Sequence, residues 1–273
     1  MILFLVFFPL SFFFGSLYTE SVFFFFCLSS FYAARKKNWR IASIFACLAS
    51  ATRLTGIFLL PALLWEQYKD QLIAQSLELK NKAKNSNFNA NFKSSFQLLH
   101  CYIVTLLHSP IIYISPLGLI FYMIYLQLQF GDFLYFWHAQ PIFGAERSGT
   151  AIILLPQVIW RYLKIFASVS IYTEAFWIPV IEFISSLGAI YLLILSHMKK
   201  VRLSYLIFSW LTVIVPTLTG TFSSMPRYII LAFPIYIVLG LLDNKIVRYL
   251  LLITCYLLLI ALTILFTRGH WVS

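Results

Sequence analysis

Residues Ile41 to Trp65 form an apolar run of hydrocarbon length with one charge, Arg53, near its middle. An arginine held at the centre of a bilayer costs roughly 3 kcal/mol on insertion scales. It is tolerated where the backbone breaks and the guanidinium faces a wet cavity or a bound anion. Thr52, Thr55 and Gly56 suit such a break, with two hydroxyls and one residue lacking a Cβ. The run is therefore expected to form two short helices that meet near Arg53 and turn that side chain toward a cleft. The competing reading is an arginine that snorkels or pairs with a carboxylate for structural reasons.

Other long apolar runs flank this one, and the composition agrees with them. Of 273 residues, 61% are hydrophobic and only 11% are charged. Soluble domains do not have that balance. The expected fold class is all-α: a polytopic membrane protein, one transmembrane domain over 1–273, with short re-entrant helix pairs. The net charge of +11 does not point to nucleic acid. The basic residues sit in short loops between apolar runs, the pattern of topology determinants. Cys27, Cys47, Cys101 and Cys255 lie far apart in apolar stretches and read as packing thiols. No His/Glu cluster has zinc spacing, and no glycine-rich loop follows a strand. Neither a metal nor a nucleotide cofactor is implied.

In chain order, Met1 to Phe14 reads as a helix, and Val22 to Ala34 as a second one that ends in Arg35-Lys36-Lys37 and Arg40. After the Arg53 run comes a polar segment over 66–97, with an Asn-rich middle expected to be a flexible cytoplasmic loop. Its first part, Tyr68 to Leu79, is a candidate surface helix. Leu98 to Leu128 is apolar and carries Pro110 and Pro116. A non-cytoplasmic loop over 129–173 follows. Within it, Ala151 to Ser170 carries Arg161 and Lys164 in a moderately apolar setting and is expected to form an interfacial helix. Spans are expected over Phe176–Ser196, Leu203–Phe222, Ile229–Leu242 and Tyr249–Phe266.

The loops at 35–40, 66–97, 199–202 and 243–248 hold about fourteen of the twenty Lys and Arg residues, which places them in the cytoplasm. The unusual segments Tyr18–Ser21, Arg53–Gly56, Phe130–Arg147, Arg161–Glu174 and Ser223–Tyr228 then share the opposite side. That side gathers Glu20, Asp132, Glu146, Glu174 and Glu182 with Arg53, Arg147, Arg161, Lys164, Arg227 and His138. Carboxylates and arginines at one membrane face suit acid/base chemistry on a phosphorylated lipid, because the arginine fork binds phosphate. Arg227 follows Pro226 at an expected helix junction, which would fix its direction. It is a phosphate ligand or an interfacial anchor. Glu20, flanked by Thr19 and Ser21, is hard to explain as solvated; an arginine such as Arg53 is its expected partner. Asp132 lies in a Gly-Asp turn and is a base or a turn former. His138 and Gln140 flank a loop beside Trp137, where a sugar could stack, although an ordinary aromatic belt gives the same pattern.

Four stretches together resemble a known family. They are Pro9-Leu-Ser-Phe-Phe-Phe-Gly-Ser-Leu-Tyr-Thr-Glu-Ser21, Ala51-Thr-Arg-Leu-Thr-Gly56 with Pro61, Phe130-Gly-Asp132 through Trp137-His-Ala-Gln140, and Ser224-Met-Pro-Arg-Tyr228. In order and spacing they resemble the second mannosyltransferase of glycosylphosphatidylinositol assembly and, more closely, its bacterial relatives. The resemblance spans Pro9 to about Leu242. It implies a GT-C-like multi-spanning helical bundle that takes mannose or another sugar from a polyprenyl or dolichyl phosphate. Transfer would occur on the non-cytoplasmic face, with inversion, to a lipid-linked or glycan acceptor.

On this reading Arg53 and Arg227 bind the donor phosphate. Tyr18, Thr55, His138 and Gln140 bind sugar or acceptor, and Glu20 and Asp132 are accessory carboxylates. The family's main catalytic carboxylate lies in a first non-cytoplasmic loop near a Trp-Asp pair, which has no counterpart here. The expectation is an N-terminally truncated member. The implied partners are membrane lipid and a lipid-linked sugar. The implied location is a bacterial cytoplasmic membrane, or the endoplasmic reticulum in a eukaryote. A transporter or flippase of lipid-linked saccharides, or an inactive fragment, would share the broken helices and midplane charges.

Overall fold

The structure is a computed structural model that describes residues 1–69, 111–144, 147–149 and 151–269. Among the described residues the chain is all-helical and contains no strand. Among those residues, three helices are long and apolar enough to cross a membrane: Ile112–Phe130, Ala175–Met198 and Lys245–Thr267. The chain divides into two compact units. One comprises Met1–Phe24 and Phe121–Ser273, the other Phe25–Ile120. Most of the expected loop over 66–97, and with it His100, Cys101, His108, Pro110, Glu146 and His270, lies outside the described residues.

In the Phe25–Ile120 unit, the break expected at Arg53 is present. The helix Trp39–Thr52 stops at Arg53, whose backbone is extended at φ −151° and ψ 145°. A 3-10 turn, Leu54–Phe58, follows, and an α-helix resumes over 59–69. The Thr52 hydroxyl bonds back to the Ala49 carbonyl at 2.8 Å. Gly56 earns its place through close approach rather than backbone freedom, since a Cβ there would strike the backbone of Ala49 and Ser50. Ala42, Ala46 and Ala49 form a fully buried small-residue stripe on the Trp39–Thr52 helix, which lets neighbouring backbones approach. Two hydroxyls tie this unit together: Ser30 Oγ donates to Ala42 O at 2.8 Å, and Ser50 Oγ to Ser115 O at 2.6 Å.

In the other unit, the Glu174–Met198 helix packs against Leu155–Ser168, Leu203–Thr217, Met225–Ile229 and Pro234–Gly240. Three expected elements differ here. Met1 to Phe14 is not one helix but a short turn of helix, Ile2–Val6, and a 3-10 turn, Ser11–Phe14. Pro9 lies between them and supplies no N–H to continue the ladder. The Leu203 run ends at Thr217, just past Pro216, so the residues to Phe222 form an irregular turn. Ile229 to Leu242 is likewise not a span: Met225–Ile229 and Pro234–Gly240 are separate short helices. That stretch is apolar on every side and is buried in the protein, from Ile229 through Tyr236, as all-round apolar segments are. Within the segment expected to form an interfacial helix, a helix forms over Leu155–Ser168, with Val158 and Tyr162 buried and Trp160 and Leu163 exposed.

Candidate functional site

The turn from Leu218 to Arg227 is the meeting point of the larger unit. Its conformation is specified locally: Gly220 has φ +94°, and a Cβ there would also meet Ile153 Cδ1 at 2.5 Å. Ser224 is left-handed at φ +63°, a conformation that non-glycine residues rarely adopt without outside bonds. Those bonds come from distant segments. Ser148 N–H donates to Thr219 O at 2.8 Å and Ile153 N–H to Leu218 O at 2.9 Å. Arg161 Nη1 donates to Gly220 O at 3.1 Å.

Beneath the turn lies a buried polar cluster. Tyr162 donates its hydroxyl to Glu182 Oε2 at 2.7 Å and accepts from Phe222 N–H at 3.0 Å. Thr221 Oγ1 lies 3.1 Å from the same oxygen and accepts from Ser223 N–H at 3.1 Å. One donor and two acceptor positions of the phenol are thus used, its full capacity. Glu182 Oε1 accepts from Ser224 N–H at 3.4 Å, which helps to hold the left-handed residue. Burial first, and the Glu182 charge second, push the Tyr162 hydroxyl well above its ordinary range. It therefore remains a donor.

Above the turn sits Arg147. Its Nη2 donates to Ser223 Oγ at 3.1 Å and reaches Ser223 O and Ser224 Oγ at 3.4 Å. Its Nη1 donates to Gln140 Oε1 at 3.4 Å. Its Nε is buried and makes no hydrogen bond among the described residues. Gln140 in turn donates Nε2 to Phe136 O at 2.9 Å.

At the end of the turn, Arg227 donates Nε and Nη2 to Glu20 Oε1 at 3.0 and 2.6 Å. The Glu20 side chain has no exposure and Arg227 retains 21%. Phe13 and Tyr18 lie against the guanidinium, at 5.0 and 4.6 Å from their ring centroids. Arg227 is thus held on its carboxylate and against two rings that also touch each other edge-on, and Tyr18 is part of that clamp. An apolar cavity of about 350 Å³ begins beside it, lined by Phe8, Pro9, Ile184, Gly188, Pro226 and Leu258 among others.

On the loop that carries Gln140 and Arg147, His138 Nδ1 lies 2.6 Å from Asp132 Oδ2. Leu134 N–H donates to Asp132 Oδ1 at 2.9 Å. Asp132 is thus both turn former and histidine partner. The His138 contact first, and the Leu134 amide second, hold its carboxyl below the usual carboxylate range. A tautomer that donates its Nδ1 proton to Asp132 would leave Nε2 free as an acceptor, the arrangement a general base requires.

The sequence-derived set therefore divides. Tyr18, Glu20 and Arg227 come together; Asp132 and His138 come together; Gln140 reaches the turn through Arg147. Arg53 and Thr55 belong to the other unit, where Arg53 caps the broken helix and Thr55 is buried. The sequence counts Glu182 among the acids of the non-cytoplasmic side but gives it no individual role, and it singles out neither Tyr162 nor Thr221. One signal for Glu182 was available: it is the one acidic residue inside a spanning-length apolar run, and intramembrane carboxylates are functional by default. Among the described residues, no group of three or more His, Cys, Asp or Glu side chains could hold a metal.

Among the described residues, fold and site together define an all-helical protein with three helices able to cross a membrane, and a polar turn braced by arginines and carboxylates. No family model, no curated protein and no solved structure matches the chain.

Proposed function

We propose that the chain is a polytopic membrane glycosyltransferase of the GT-C type, a mannosyltransferase acting on the non-cytoplasmic face. Its donor is a polyprenyl- or dolichyl-phosphate sugar and its acceptor a lipid-linked saccharide or glycan. The observation that carries this reading is the juxtaposition at the Ser223–Arg227 turn. Arg147 and Arg227 flank a turn whose Pro226 lines an apolar cavity of about 350 Å³. A lipid-phosphate sugar needs an apolar slot for its chain and cations for its phosphate.

In the proposed reaction an acceptor hydroxyl oxygen bonds to the anomeric carbon as that carbon's bond to the phosphate oxygen breaks. The configuration inverts. The hydroxyl proton passes to His138 Nε2, oriented through Nδ1 by Asp132. The lipid phosphate leaves with the bonding pair, and its charge is offset by arginine. Arg147 has a buried Nε for a phosphate oxygen, whereas Arg227 has committed Nε and Nη2 to Glu20. Tyr18 and Gln140 border these groups and remain the candidate sugar contacts; Arg53 and Thr55 enter the proposal from the resemblance alone.

The test is transfer in membranes containing the full chain, with radiolabelled polyprenyl-phosphate mannose and total lipid-linked saccharides as acceptors. Label should move to the acceptor pool, and Arg147→Ala should lower transfer by about tenfold or more. Absence of transfer from mannosyl, glucosyl and galactosyl donors alike would overturn the reading. Movement of intact lipid-linked saccharide across the bilayer would replace it with a transporter.

A further inference from the structure

The Phe25–Ile120 unit holds a second cavity, of about 560 Å³, along the hairpin formed by the Glu20–Arg35 and Trp39–Thr52 helices. It is lined by Phe25, Leu28, Ser29 and Tyr32 on the first helix and by Ile41 and Phe45 on the second. The spacing 25, 28, 29, 32 is that of one helix face. At its far end Phe25 meets Phe45 edge-on, with centroids 6.2 Å apart, and Phe26 lies 6.2 Å from Phe45 as well. The groove is open to the surroundings: Tyr32 is 67% exposed and Phe25 59%.

The near end is cationic. Lys36 and Asn38 line it, and Lys36 Nζ sits 5.8 Å from the Tyr32 ring centroid. Lys37, left-handed at φ +57°, and Arg40 complete the turn, and all three basic side chains are exposed. Arg35 differs, because Glu66 lies 3.9 Å from it. No acidic residue occurs between Glu20 and Glu66. Asn38 is occupied in capping, its Oδ1 accepting from Ile41 N–H at 3.3 Å.

The dimensions fit one ligand class. From Lys36 to Phe25 the helix rises about 16 Å at 1.5 Å per residue. That is close to half of the ~30 Å hydrocarbon core of a bilayer, the depth of one leaflet. An apolar groove one leaflet deep, closed by aromatic rings, with Lys36 at its head and Lys37 and Arg40 exposed on the adjoining turn, matches a lipid with an anionic headgroup.

The geometry points to a binding site for an anionic glycerophospholipid: one acyl chain lies in the groove between the two helices, and the phosphate meets Lys36, Lys37 and Arg40. This site is independent of the transferase reading.

The test is native mass spectrometry of the purified full chain in detergent. It is offered phosphatidylglycerol and phosphatidylcholine of identical chains at equal concentration. Wild type should retain phosphatidylglycerol preferentially. Charge-removing substitutions Lys36→Gln, Lys37→Gln and Arg40→Gln should each lower that preference by roughly fivefold, and Lys36→Arg should keep it. Ser29→Phe should reduce retention of both lipids by filling the groove, with helical content by circular dichroism unchanged. Equal retention of the two lipids by wild type overturns the site. So does a preference that survives the triple Gln variant, full displacement by water-soluble glycerol phosphate, or a lipid-free dimer occluding the hairpin.

Discussion

Two acid–base pairs in the larger unit have the same closest approach, 2.6 Å, and opposite surroundings. Arg227 meets Glu20, whose side chain has no exposure, and lies against the rings of Phe13 and Tyr18. His138 meets Asp132 in a loop, with side-chain exposures of 52% and 33%. Distance alone would rank them equally; burial separates them. A buried carboxylate has no water to fall back on, so its partner is a structural necessity. An exposed pair is screened and contributes little to stability, yet it can exchange protons with a bound substrate. The contrast assigns architecture to Glu20 and Arg227; under the proposed transferase reading, proton transfer falls to Asp132 and His138.

The largest expected effect follows from breaking the buried pair. Arg227→Ala should destabilise the protein by roughly 3–5 kcal/mol, the usual consequence of removing one partner from a buried ion pair. The double substitution Glu20→Gln with Arg227→Gln should recover much of that loss, because no buried charge is stranded. Chemical denaturation in detergent, followed by helical circular dichroism, measures both; equal losses for the single and double variants would break the comparison.

A smaller effect is expected at the other buried carboxylate. Tyr162→Phe removes the donor to Glu182 Oε2 and the acceptor of the Phe222 amide. The expected loss is about 1–3 kcal/mol, the range for leaving a buried polar group unsatisfied. A shift in Tm of a few degrees at constant helical content would support it, and an unchanged Tm would show that water replaces the phenol.

The smallest stability effect belongs to the exposed pair. Asp132→Asn should lower the unfolding midpoint at neutral pH only slightly. Its trace should be a pH dependence. The folded carboxyl titrates below its ordinary value of 3.8, so its contribution is fully present above that value. It is lost as pH falls through the lowered one. A difference between wild type and Asp132→Asn that shrinks only in strong acid fits this sign. One that grows as pH falls toward 3 contradicts it.

Sequence legibility followed the same divide between local and long-range information. The break at Arg53 was legible because a charge in an apolar run announces itself, and the amphipathic pattern around Arg161 and Lys164 marked the Leu155–Ser168 helix. Two apolar segments, Met1 to Phe14 read as one helix and Ile229 to Leu242 read as a span, are each broken: hydropathy runs straight through Pro9 and Pro234, but the helical ladder does not. Glu20 was recognised as needing a partner. Its bond to Arg227 joins residues 207 positions apart, and no local pattern encodes that pairing. Tyr162, and the individual role of Glu182 within the gathered acids, were not legible for the same reason, since each becomes meaningful only when the Thr221–Ser224 turn folds between them.

The most direct test of this division of labour is mannosyl transfer from polyprenyl-phosphate mannose by Asp132→Asn in membranes, beside its unfolding midpoint. The account predicts a midpoint only slightly below wild type, a kcat lowered by about a hundredfold or more and a KM little changed. Transfer at the wild-type rate by a folded Asp132→Asn protein would contradict it.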